Sequence, residues 1–213
     1  SHTYATTGSY NVTLIATGSR GCIDTVIVPI DVFANPSADF TVSEACFGVA
    51  SSFSNNSSGA KSYLWTFGDG ASSSNENPSR LYTSAATYTT TLIASSDKGC
   101  TDTIVKSAVV NPLPNFQLTA TNRCATDSIP FSVTGSNLNT VLWNFGDGVG
   151  SAGINAPKYK YVTEGIYTVS FYATSAKSCT DSGTVKVEAL AVPNTAFSTS
   201  DVCLNQNTVL SNS

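Results

Sequence analysis

Apolar residues along this chain recur at every second position. They fall in short runs rich in Thr, Val, Ile, Tyr and Phe, broken by Gly, Asn, Ser and Pro. In "YTVSFYA", Tyr167, Val169, Phe171 and Ala173 point one way and Thr168, Ser170 and Tyr172 the other. The same alternation puts Tyr10, Val12, Leu14 and Ala16 on the inward face of an earlier strand. No long stretch carries apolar residues at i, i+3, i+4 and i+7, the stripe that a packed helix needs. The pattern predicts an all-β protein.

The runs themselves repeat. "GSYNVTLIATGSRGCIDTVIVPIDV" from Gly8, "ATYTTTLIASSDKGCTDTIVKSAVV" from Ala86 and "GIYTVSFYATSAKSCTDSGTVKVEA" from Gly165 each read as a strand, a short turn, a Cys and a second strand. Tyr10, Tyr88 and Tyr167 keep a period of 78 to 79 residues, as do Cys46, Cys124 and Cys203. "NPSADF", "NPLPNF" and "VPNTAF" each set a Pro just before a new strand, where it fixes φ and stiffens a junction. The chain therefore reads as a register of repeats. Residues 1–35 are the C-terminal strands of one repeat, 36–112 and 113–192 are complete repeats, and 193–213 are the N-terminal strands of another. The chain is expected to be a window on a longer array, with its two terminal pieces frayed.

A repeat of this length with about seven short strands fits a two-sheet sandwich. The leading tyrosines Tyr10, Tyr88 and Tyr167 resemble a tyrosine corner, in which the hydroxyl ties down a chain crossing. Trp-x-Phe-Gly-Asp-Gly occurs once in each complete repeat. Trp65 and Phe67, and likewise Trp143 and Phe145, share one strand face and are expected to form the core. Gly68-Asp69-Gly70 and Gly146-Asp147-Gly148 then read as turns, with Asp accepting from nearby amides and Gly permitting positive φ. A calcium or sugar site at Asp69 and Asp147 is the alternative, but one carboxylate between two glycines cannot supply the six to eight oxygens of a calcium site.

Composition narrows the function. Charged residues are 11% of the chain, against roughly 25% in an average domain. The net charge of −4 and the lack of a basic stripe argue against a nucleic-acid partner. No apolar run approaches the roughly 20 residues of a membrane helix. Catalytic signatures are missing: there is no HExxH, GxSxG, P-loop or CxxC. The one histidine, His2, aligns with Leu81 and Lys160 and reads as a surface strand residue. No enzyme activity and no cofactor are expected. Tyr82, Tyr159, Tyr161 and Tyr172 are the rings that could be exposed for a sugar.

Trp-x-Phe-Gly-Asp-Gly, then Asn-Pro, a Tyr and Gly-x-Tyr-Thr-Val, resembles the PKD (polycystic kidney disease) domain family across both complete repeats and both fragments. The resemblance implies immunoglobulin-like β-sandwiches in an end-to-end array. "NAPKYKY" departs from "NPSRLY", its proline displaced to Pro157. The Cys pair and Gly-Cys-x-Asp-Thr are similar to PKD arrays in secreted surface proteins of Bacteroidetes, including gliding-motility adhesins. Asp24-Thr25-Val26, Asp102-Thr103-Ile104 and Asp127-Ser128-Ile129 resemble the Bacteroidetes O-glycosylation pattern, so Thr25, Thr103 and Ser128 are candidate acceptors; the bland reading is that Asp-Thr opens a strand.

What the resemblance implies is a structural segment of a secreted filament or adhesin stalk on the cell surface, spanning distance and bearing tension. Its partners would be neighbouring repeats, other copies in a fibre, and a surface polysaccharide or protein, with no insertion in a membrane. The alternative is an accessory carbohydrate- or protein-binding module of a secreted hydrolase. Six cysteines in such a context imply disulfides. In the implied topology Cys46 and Cys100 lie at opposite ends of one sandwich, which favours a bond from Cys46 to Cys179 of the next repeat. The alternatives are Cys46 with Cys100 and Cys124 with Cys179 within repeats, or bridges between chains.

Overall fold

The computed structural model describes residues 1–153, 157–199, 201–208 and 210–212. Ser200, Val209 and Ser213 of the last fragment, and Asn155 and Ala156 of "NAPKYKY", lie outside them. The chain falls into two compact units, Ser1–Pro112 and Leu113–Ser213. Among the described residues the ordered elements are strands, as the alternating pattern requires.

The first unit opens on an antiparallel hairpin of β1 (Gly8–Thr17) and β2 (Ile23–Val32). Then come β3 (Phe40–Val42), β4 (Ala45–Cys46), β5 (Ser51–Asn55), β6 (Ser62–Thr66), β7 (Ser72–Ser73), β8 (Ser79–Arg80), β9 (Thr87–Ser95) and β10 (Thr101–Asn111). One sheet runs β3-β5-β8 and the other β4-β10-β9-β6-β7. The chain crosses between sheets almost at once: β3 pairs with β5, whereas β4 pairs parallel to the end of β10. The core between the sheets holds Phe40, Phe53, Trp65, Phe67, Tyr82, Leu92, Ala108 and Val110. The Trp65 ring meets Phe40 edge-on at 5.1 Å and Phe53 at 5.7 Å, within the range where aromatic pairs add to plain burial.

The second unit repeats this plan with β11 (Asn115–Ala120), β12 (Arg123–Cys124), β13 (Ser128–Ser136), β14 (Thr140–Asn144), β15 (Gly150–Ala152), β16 (Lys158–Lys160), β17 (Gly165–Thr174) and β18 (Thr180–Leu190). Its sheets are β11-β13-β16 and β12-β18-β17-β14-β15. A short pair, β19 (Phe197–Thr199) with β20 (Leu210–Asn212), follows. In β17, Val169, Phe171 and Ala173 are buried while Thr168 and Tyr172 are exposed. These are two immunoglobulin-like sandwiches in tandem, each with its own core.

The hairpin β1–β2 departs from the expectation of an inward face. Its register places Val12 opposite Val28 and Leu14 opposite Val26 on the side that is core elsewhere. Yet Leu14 is 65% exposed and Val28 55%. In residues 36–112 that side is covered by β3 and β5, elements N-terminal to the Trp motif. Residues 1–35 contain only the two strands that follow it.

Candidate functional site at the Gly-Asp-Gly turn

The two Trp motifs build the same object. Trp65 and Trp143 are buried at the ends of β6 and β14, and each indole N–H donates to a loop carbonyl, Asn75 O at 2.9 Å and Gly153 O at 3.2 Å. That bond matters because a buried, unpaired N–H costs about 1–3 kcal/mol. Phe67 and Phe145 follow, also buried, and the chain then reverses: Phe67 N–H donates to Ala71 O and Phe145 N–H to Val149 O.

Glycine is required twice for different reasons. All four turn glycines have positive φ, near +80° to +91°. At Gly68 a Cβ would also sit 2.5 Å from the carbonyl oxygen of Thr89, and at Gly146 2.6 Å from that of Thr168. The turn is pressed against β9 or β17, and only hydrogen fits the gap. Gly70 and Gly148 face open space.

The motif aspartate is wholly engaged. Asp69 Oδ1 accepts from Ala71 N–H at 3.0 Å, and Oδ2 from Arg80 Nε at 2.7 Å. Burial disfavours its charge, but the Ala71 amide and the Arg80 guanidinium outweigh that and hold the carboxyl below the usual carboxylate range. Asp147 repeats the first contact with Val149 N–H at 3.1 Å, while its Oδ2 accepts from the Tyr159 hydroxyl at 2.6 Å. That bond to a carboxylate, helped by burial, pushes the Tyr159 phenol up to about 12. Among the described residues no cluster of three acidic, His or Cys side chains stands here to hold a metal.

Beside the turn lies a tyrosine pair. Tyr82 and Tyr161 are buried, and their hydroxyls donate to Phe67 O and Phe145 O. Tyr82 stacks on Tyr88 at 3.9 Å and Tyr161 on Tyr167 at 3.8 Å. Tyr88 and Tyr167 close the corner, donating to Ser84 O at 2.9 Å and Thr163 O at 3.0 Å. Tyr10 does the same to Thr6 O at 2.9 Å, with Tyr4 tilted over its ring. The corner thus forms within residues 1–35 as well, because its contacts span only four residues.

These contacts revise three sequence readings. Tyr4 occupies the place of Tyr82 and Tyr161, so His2 corresponds to Arg80 and Tyr159, not to Leu81 and Lys160. Pro157 is not displaced: its carbonyl accepts from Phe131 N–H just as Pro78 O accepts from Phe53 N–H. The real change is the loss of Asn77, whose side chain caps Asn55 N–H at 2.8 Å. Finally, Tyr82 and Tyr161 are core residues and Tyr159 lies stacked on Phe145 at 3.9 Å, which leaves Tyr172 as the exposed ring of the four.

Thr25, Thr103 and Ser128 are all exposed. Of their neighbours, Asp102 serves the fold. Its carboxylate accepts from Ala38 N–H at 2.8 Å, joining the start of β10 to the chain that leads into β3. That bond, with one from Thr103, holds Asp102 below the usual carboxylate range. Asp24 accepts from Thr25 N–H at 2.9 Å.

Cys46 and Cys179 are disulfide-bonded, while Cys22, Cys100, Cys124 and Cys203 carry free thiols. Within a repeat the two cysteines stand at opposite ends. Cys46 pairs beside Asn111, the last residue of β10, and Cys100 precedes its first. An 11-residue strand separates them by about 33 Å, far beyond the ~4.4–6.8 Å that a disulfide tolerates. Cys124 beside Leu190 and Cys179 before Thr180 are separated likewise. Within the first unit, the turn that carries Cys100 reaches back to the segment before it: Lys98 Nζ lies 5.6 Å from the Phe33 ring centre.

The fold and the paired turns define an immunoglobulin-like β-sandwich class. Residues 28–112 and 109–189 each match the PKD domain, and the chain belongs to that family. The first PKD domain of Vibrio anguillarum Epp is similar, at 34% identity over 37% of this chain and 96% of that one, with a TM-score of 0.35. So is the first PKD domain of the Vibrio cholerae metalloprotease PrtV, at 33% identity over 37% and 99%, with a TM-score of 0.35. The fibronectin(III)-like modules of Clostridium thermocellum CbhA share 15% identity over 73% and 94%, with a TM-score of 0.37.

Proposed function

We propose that this chain is a non-enzymatic stalk segment of a secreted surface protein, of the kind that its resemblance to Bacteroidetes PKD arrays implies. The observation that carries the reading is that the repeated motif is spent internally. Both oxygens of Asp69 and of Asp147 are satisfied by the repeat that contains them. What recurs from copy to copy is therefore a folding device. The disulfide adds support, since such bonds persist in oxidising, extracellular surroundings.

In this reading Cys46 is joined to Cys179, at the exit end of one repeat and in the late turn of the next. Two facts favour it: Cys100 and Cys124 are free thiols, and the corresponding turn around Lys98 reaches the exit residue Phe33 in the first unit. Pulling the oxidised chain from its termini tests it. The roughly 130 residues between Cys46 and Cys179 would stay locked, so reduction should add about 450 Å of extension at ~3.4 Å per residue. An increment nearer 180 Å would indicate a Cys46–Cys100 link and overturn the stapled stalk. No increment at all would leave the accessory-module alternative as the better account.

A further inference from the structure

The outer face of the larger sheet in the second unit carries a groove that the folding motif does not use. Leu142 lies opposite Ala152 on one side and Tyr172 on the other, and Tyr172 lies opposite Ser182. Their strand neighbours Val141, Trp143, Phe171 and Ala173 are buried, so these side chains point outward. Leu142 is 58% exposed and Tyr172 51%. Between them and the Val149–Ser151 edge is an open depression of about 550 Å³. A second depression shares Leu142 and Ala152 and continues toward Asn139; a third shares Tyr172 and continues toward Asp181 and Ser182. Together they cross β15, β14, β17 and β18, three strand spacings or about 14 Å.

We propose that this groove binds a short run of a neutral, linear oligosaccharide, with Tyr172 as the platform for one sugar ring. The inference is independent of the stalk reading. A pyranose presents an apolar C–H face and a rim of hydroxyls; the groove presents an aromatic ring and Leu142 below, with Asn144, Thr180 and Ser182 around them. Among the described residues no lysine or arginine lines it, so an anionic ligand has nothing to pair with there, and Asp181 at one end is the single charge among them. A floor only about 14 Å across matches a short run of sugar rings and is far smaller than the roughly 800 Å² per partner that a stable protein interface buries. In the first unit the same register puts Ile93 at the Tyr172 position, between Leu64 and Thr103. A branched aliphatic side chain offers no flat face, so binding is confined to residues 113–192.

That contrast supplies the control. Tyr172→Ile installs the side chain that the sister repeat already carries, so the melting temperature should hold. Titration of the whole chain with cellohexaose, xylohexaose and maltohexaose, followed by amide NMR, should shift resonances of Leu142, Ser151, Tyr172 and Ser182 with at least one of them. Tyr172→Ile should weaken that binding by about tenfold or more. The proposal is overturned if no neutral hexaose shifts these resonances, if affinity survives Tyr172→Ile, or if only uronic or sulfated oligosaccharides bind. Concentration-dependent dimerisation that disappears in Tyr172→Ile would also overturn it, and would assign the face to a second copy of the chain.

Discussion

Gly68 and Gly70 look interchangeable in the sequence, and their alanine variants should behave very differently. Both residues hold positive φ, so Ala at either meets the left-handed penalty of about 1–2 kcal/mol. At Gly70 nothing else opposes the new methyl. At Gly68 the Cβ would stand 2.5 Å from Thr89 O and 2.9 Å from Thr89 N, both backbone atoms of β9. No rotamer relieves that contact, so β9 or the turn must move. Both are fixed, one by pairing with β6 and β10 and the other by the Asp69 contacts. Overpacking of this kind adds about 1–3 kcal/mol. Gly68→Ala should therefore cost roughly 2–5 kcal/mol in the first repeat. Differential scanning calorimetry of both variants reads this directly, since only one repeat's transition should move. A kilocalorie spans about 4–8 °C for a domain of this size. If Gly68→Ala and Gly70→Ala lower the transition equally, the close approach to β9 has no energetic weight and the two-role account of the motif fails.

Three further outcomes follow from the same contacts. Ser51 has a fully buried hydroxyl without a hydrogen-bond partner. Ser51→Ala should stabilise the first repeat by about 1 kcal/mol; urea unfolding in which Ser51→Ala is neutral or harmful would refute the reasoning. Tyr159 has a folded-state pKa of about 12 against 10 when free, so its contribution is intact below pH 10 and fades as pH rises from 10 to 12. Tyr159→Phe should flatten the alkaline loss of stability of the second repeat, and an unchanged pH profile would show that the Asp147 contact is not its source. Because both oxygens of Asp69 are already engaged, a chelator should leave both melting transitions in place; a rise of several degrees with added calcium would contradict this.

Much of this fold could be read from the sequence because its signals are local. Alternation marked β17 down to its inward residues, and Tyr10, Tyr88 and Tyr167 marked corners whose partners are four residues away. The partners of the motif aspartates were hidden for the opposite reason. Arg80 and Tyr159 are 11 and 12 residues beyond Asp69 and Asp147, on β8 and β16, and nothing in their chemistry is shared. The linking loop is one residue longer in the second repeat, so the spacing from tyrosine to tyrosine is 79 there although tryptophan to tryptophan is 78. Between the first two corner tyrosines, Tyr10 and Tyr88, the spacing is 78, which sets His2 against Arg80. Alternation also says which face is apolar and not whether anything covers it, which is why Val12 and Leu14 read as core and stand exposed.

The exchange of Arg80 for Tyr159 makes the two repeats unequal under stress. The first turn is clasped by an ion pair at 2.7 Å, which salt weakens and which acid strong enough to protonate Asp69 releases. The second is clasped by a phenol, indifferent to moderate salt and released by strong alkali. One shape is thus fastened by two chemistries with opposite weaknesses. Two domains fastened alike would loosen at one threshold. Fastened differently, they leave one domain closed at either extreme of pH.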